Sequence, residues 1–204
     1  MRALLSIVLF CAALGMHAQD MTVEQVRDNW AQKTITDVKG GDLIELAKAF
    51  QRAFPTRAAR RMLALSDKRV PGGNGETYGA VAKKNGYMAH ADDVTEEEEH
   101  SEAIEMCVWK RDNGHRLFAV NFNSLDNDIH ALCFYDYNPQ TRQLKPEKAL
   151  AEQITPKKSA NYYISLPATG KKIHINEFVG ETVYSYVYDW DGMKPVLEDL
   201  SIQK

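Results

Sequence analysis

Cysteine is scarce in this chain: Cys11, Cys107 and Cys133 are the full set of three, and no two of them form a Cys-x-x-Cys pair. That excludes a disulfide-dense scaffold and removes the usual thiolate signature of a zinc site. None of the six histidines stands four residues from another, so the helical spacing of a zinc protease is missing too. A Gly-x-Ser-x-Gly elbow is also absent. Gly72-Gly73-Asn74-Gly75 is not followed by Lys-Ser or Lys-Thr and reads as a connector, not a phosphate loop. No cofactor and no metal site is read from the sequence. Positive charge is in short supply as well: 25 Lys and Arg face 28 Asp and Glu, which argues against a nucleic-acid partner.

Long apolar runs are limited to one. Met1-Arg2 precede Ala3 to Leu14, broken only by Ser6, and Gly15 to Gln19 follow. The run falls short of the roughly 20 residues that span a bilayer and has the length of a signal-peptide core. Residues 1–18 are therefore expected to be a signal peptide cut after Ala18, with lipid anchoring through Cys11 as the alternative. The bulky Phe10 before Cys11 disfavours that alternative. Cleavage removes Arg2 and no acid, leaving 24 basic against 28 acidic residues and a net charge of −4. The mature chain carries no candidate membrane span. Its expected location is the periplasm or the outside of the cell.

What remains, 19–204, suits one domain. Thr22 with Gln25 forms a capping box ahead of Val23, Val26 and Trp30. Asp42 with Glu45 starts a second helix, whose Leu43, Leu46, Ala47, Phe50 and Phe54 share a face. Pro55 ends or kinks it, and Thr56 caps a continuation carrying Ala59, Met62 and Leu63. The helical part covers 19–70.

From Tyr78 the period changes to two, giving a β part over 76–204. Asn85-Gly86 and Asn113-Gly114 predict two-residue hairpin turns of type I′. Further strands are expected at Ile129 to Tyr137, Asn161 to Leu166, Lys171 to Phe178, Glu181 to Trp190, and briefly near Pro195 to Leu197. In the resulting meander Cys107 and Cys133 lie two strands apart, roughly 9.5 Å, so two buried thiols are expected and not a disulfide. Ile104 to Trp109 and Leu117 to Phe122 are apolar on both faces and need a cover on each. The fold class is α+β, with N-terminal helices on a curved antiparallel meander. A β-sandwich or partly open barrel with a helical N-terminal cap is the alternative.

A faint echo links Phe134-Tyr135-Asp136-Tyr137, leading to Leu144-Lys145-Pro146-Glu147, with Val187-Tyr188-Asp189-Trp190, leading to Met193-Lys194-Pro195. The chain resembles the small exported β-rich proteins of unknown function common in Bacteroidetes. The leader ending in Ala18-Gln19 carries that resemblance, with the run Gly170-Lys171-Lys172-Ile173-His174-Ile175 and then Tyr188-Asp189-Trp190-Asp191-Gly192. It implies an exported β-rich protein and brings no activity or site residues with it.

Charge is unevenly placed. Residues 92–105 hold eight acids and no Lys or Arg, which predicts a solvated loop. Weak calcium binding is the functional alternative, although the spaced Asp-x-Asp-x-Asp-Gly pattern is missing. Arg57, Arg60 and Arg61 share a helix face and read as a solvated surface. The candidate site is aromatic: Tyr184, Tyr186, Tyr188 and Trp190 fall on one face of a strand. Such a row either packs as core or forms a platform for a protein, peptide or glycan. The expected function is non-catalytic binding through that face. The alternative is a cell-wall or polysaccharide hydrolase, with Asp189 or Asp191 and His174 as an acid–base pair.

Overall fold

The computed structural model describes residues 20–64, 78–82, 85–91, 101–124 and 128–204. The expected leader, the glycine connector at 72–75, Lys68, Arg69 and the acidic residues 92–99 lie outside the described residues. Helix α1 (Val23–Asn29) runs into a 3-10 turn at Trp30–Gln32, followed by α2 (Leu43–Ala53) and α3 (Arg57–Ala64). All three starts follow the expected caps. Thr22 and Gln25 exchange both bonds of a capping box, Asp42 accepts from the Glu45 N–H, and Thr56 accepts from the Ala59 N–H at 3.3 Å.

Six strands follow in one antiparallel sheet, in sequence order: β1 (Tyr78–Ala82), β2 (Tyr87–Ala91), β3 (Glu102–Lys110), β4 (Arg116–Ser124), β5 (Ile129–Asn138) and β6 (Gln143–Pro146). Then α4 (Lys148–Ile154) interrupts the strands, and a second antiparallel sheet forms from β7 (Tyr162–Ser165), β8 (Ile173–Val179), β9 (Thr182–Trp190) and β10 (Pro195–Gln203). The fold is α+β, and the sheets do not close into a barrel. Among the described residues no helix is long and apolar enough to cross a membrane.

The strands that are apolar on both faces are covered on both. Phe118, Val120, Phe122, Cys133 and Tyr135 face the N-terminal helices, where the Phe50 ring meets Phe118 and Tyr135 at 6.4 Å and Tyr135 donates to the Trp30 carbonyl at 3.0 Å. On the opposite face Trp109, Cys107, Leu117 and Phe134 lie toward the second sheet; Trp109 stacks on Trp190 at 5.6 Å. The second cover is therefore a separate sheet, and the strands do not form one continuous meander. The helix α4 and Pro156 between β6 and β7 prevent a tight hairpin there. Instead β7 and the residue after it bond to side chains of the first sheet: Asn121 donates to the Ile164 carbonyl at 2.9 Å and Glu105 accepts from the Leu166 N–H at 3.1 Å.

Cys107 and Cys133 are buried free thiols, as expected. Besides the intervening strand, they lie on opposite faces: Cys107 pairs with Ala119 and Cys133 with Val120, which are consecutive on β4.

Several local expectations need correction. Neither hairpin has a type I′ turn, because Asn85 and Asn113 both keep a negative φ. At 111–115 the Gly114 N–H bonds the Arg111 carbonyl, and Gly114 alone takes a left-handed φ of 84°, giving a longer loop with one glycine at its positive-φ corner. The acidic block does not stay in solvent throughout: Glu102 and Glu105 belong to β3, and Glu105 points between the sheets. The helix α4 and most of β10 fall outside the elements that the sequence pattern predicts, whereas β6 holds the Leu144-Lys145-Pro146 arm of the sequence echo. Finally, both halves of the sequence echo form strand–turn–strand units, but Pro146 pairs with Tyr135 whereas Pro195 pairs with Trp190, so the two registers do not superpose.

Candidate functional site

Strand β9 carries Tyr184, Tyr186, Tyr188 and Trp190 on the face that includes Ile173, Ile175 and Glu177 of β8. The row changes character along its length. Trp190 is stacked on Trp109 and Tyr188 is 7% exposed, so this end is core. Tyr184 and Tyr186 stay half-exposed. Tyr186 donates to Glu177 at 2.7 Å, and burial together with that bond pushes its pKa up to about 12. Glu177 is 0% exposed and also accepts from the backbone N–H groups of Lys158 and Ser159, which ties the 156–161 segment to the strand. The Lys158 ammonium then sits 3.3 Å above the centre of the Tyr184 ring, a cation–π contact.

The open end of the row continues onto β10, which sequence patterning cut short at Leu197. A bulge between Leu197 and Asp199 changes the phase of that strand. Leu197 then lies opposite Tyr188, Leu200 opposite Tyr186 and Ile202 opposite Tyr184, so all three join the aromatic face. They are 46%, 44% and 54% exposed. The signal was present as the alternation Leu200-Ser201-Ile202-Gln203, but the bulge that brings Leu197 into line is invisible in a period count. Beyond Pro195 every residue of β10 is exposed, and it is an outer strand of its sheet.

The expected acid–base residues are placed elsewhere. Asp191 accepts from the N–H groups of Met193 and Lys194, both at 2.7 Å, and those bonds hold its carboxyl below its ordinary value. His174 and Asp189 lie on the reverse face of the second sheet and border the same cavity, of about 490 Å³, with no hydrogen bond between them. The pair that does meet is His115 and Asp136, at 2.7 Å. Its surroundings are structural. Arg111, 9% exposed, bonds Asp136, grips Glu147 through two nitrogens at 2.6 and 2.7 Å, and donates to the Met193 carbonyl at 2.8 Å. This cluster clamps the β3–β4 loop to β5 and to the β9–β10 turn. Sequence spacing could not find it, because the loop length that sets the register was open.

Two further cavities flank the outer end of β5. One, of about 640 Å³, lies between α1, α4 and β5; the other, of about 510 Å³, lies between the two sheets beside Glu105 and Tyr163. His130 and Tyr162 border both, with ring centres 4.5 Å apart. His130 Nδ1 is held by Asn123 Oδ1 at 2.7 Å, and burial lowers its pKa. Among the described residues no group of three or more His, Cys, Asp or Glu is arranged to hold a metal ion. Comparison with protein-family models, curated proteins and solved structures found no match.

Proposed function

We propose that this chain is an exported, non-catalytic binding protein that takes an extended polypeptide along β10 and the aromatic face beside it. One observation carries the reading: a nine-residue outer strand leaves Leu197, Leu200 and Ile202 in solvent, on the same face as Tyr184 and Tyr186. An exposed, apolar edge strand is a template for pairing with another chain. Main-chain bonds to such an edge give affinity, while alternate side chains supply selectivity. A glycan would stack on the rings but would make no use of the strand edge. The acid–base alternative has its nearest geometry in His115 and Asp136, and that pair borders none of the three cavities.

The reading is tested by immobilising the exported chain and its Leu200→Lys, Ile202→Lys double variant. Both are challenged with envelope and extracellular fractions of the host, and separately with insoluble cell-wall glycan. Retention of a defined polypeptide by the unaltered chain, lost in the variant at unchanged melting temperature, is the expected result. Retention of glycan alone, of the same polypeptide by both proteins, or of no polypeptide at all overturns it.

A further inference from the structure

The largest of the three cavities shares no lining residue with the β9–β10 face and has a different chemistry. We propose that this cleft binds a small, flat, apolar molecule carrying a single carboxylate. Its volume of about 640 Å³ falls within the span of sites that enclose small organic ligands, roughly 300–1,000 Å³. Trp30, Leu132 and Ala151 are buried beneath it, and the paired rings of His130 and Tyr162 close one end. A floor of rings and aliphatic groups favours a flat apolar body over a bare inorganic anion.

Charge at the rim selects the headgroup. Arg27, Lys148 and Lys157 border the cleft, against Asp28 and Glu152. Asp28 engages only Nε of Arg27, at 2.9 Å, so the two terminal guanidinium nitrogens keep donors without an acceptor among the described residues. The Arg27 charge also reaches Tyr162, where it partly opposes the upward push of burial on the phenol. Lys157 has no carboxylate partner among the described residues, and the Lys148–Glu152 pair is long, at 3.5 Å, and exposed on both sides. His130 adds no charge near neutral pH, because burial lowers its pKa. The rim therefore has one cation in excess, and Arg27 offers the forked donor geometry that suits a carboxylate. A monoanion matches this balance better than a dianion.

Naphthoate and its neutral amide serve as probes, titrated into the exported chain by calorimetry and followed by the NMR shifts of the Trp30 indole. Naphthoate is expected to bind saturably at one site. The Arg27→Gln, Lys157→Gln double variant, altered only at polar rim positions, should weaken naphthoate about tenfold while leaving the amide within about twofold. The Leu200→Lys, Ile202→Lys variant should bind naphthoate as the unaltered chain does, which separates this cleft from the strand face. Absence of saturable binding, equal losses for acid and amide, or a loss confined to the β10 variant would overturn the proposal.

Discussion

Glu177 shows how a single side chain organises the edge of the candidate face. It has no exposure, yet its carboxylate accepts from Tyr186 and from two backbone N–H groups of the 156–161 segment. Glu177→Ala removes those acceptors and leaves three donors to find water in a packed site, at a cost of about 3 kcal/mol. Urea unfolding measures this, and a loss below about 1 kcal/mol would mean that water replaces the carboxylate at little cost. Asn121 illustrates a different economy. Its amide nitrogen serves both Glu105 and the Ile164 carbonyl, which joins the two sheets, while its Oδ1 has no hydrogen-bond partner among the described residues. Neither role is legible in the sequence, since Glu105 stands in an acidic run and Asn121 in an apolar strand.

Among the elements, the helix starts were legible because a cap acts within three residues of itself. The hairpins were legible as hairpins but not in their turn type. Asn-Gly suits type I′, yet a loop one residue longer lets Asn113 keep a negative φ and leaves only Gly114 left-handed. This yields a graded expectation for two substitutions. A Cβ at Gly114 would meet nothing within 4 Å, so Gly114→Ala costs only the left-handed strain, about 1–2 kcal/mol. At Gly86, with φ 68°, a Cβ would come within 2.8 Å of the Val108 carbonyl oxygen, whose residue is bonded to the Gly86 carbonyl through its N–H. Gly86→Ala should therefore destabilise more than Gly114→Ala in matched thermal melts, and the reverse order would contradict the described β2–β3 contact. Strand β10 runs beyond its expected end at Leu197 for a similar reason. Its bulge inserts one residue, and a simple alternation cannot carry Leu197, Leu200 and Ile202 to one side.

Across the molecule, the buried phenols and thiols set a shared response to alkali. Burial pushes the Cys107 thiol up to about 12, raises Cys133 well above its ordinary value, and raises Tyr87, Tyr135 and Tyr188. Each such group holds its proton in the folded chain at a pH where the unfolded chain has released it. The stability they confer is complete below the unfolded values, 9.0 for Cys and 10.0 for Tyr, and declines as pH rises beyond them. Urea midpoints should thus fall from about pH 9 upward, more steeply above about pH 10. A Cys107→Ala, Cys133→Ala variant should lose the earlier part of that decline and keep the later part. A flat midpoint across this window would mean that these groups are accessible in the folded chain.

Sequence alone determined the helix caps, the alternating strands, the pairing of neighbours through short turns and the two unpaired thiols. Each follows from chemistry acting within a few residues or between adjacent strands. Tertiary structure alone decided that the strands divide into two sheets after Pro146, that Trp190 stacks while Tyr184 and Tyr186 stay half-open, and that His115 meets Asp136 and not His174. Those outcomes depend on loop lengths, a bulge and the burial of faces far apart in the chain. Periodicity records which side a residue lies on, but not what comes to cover that side.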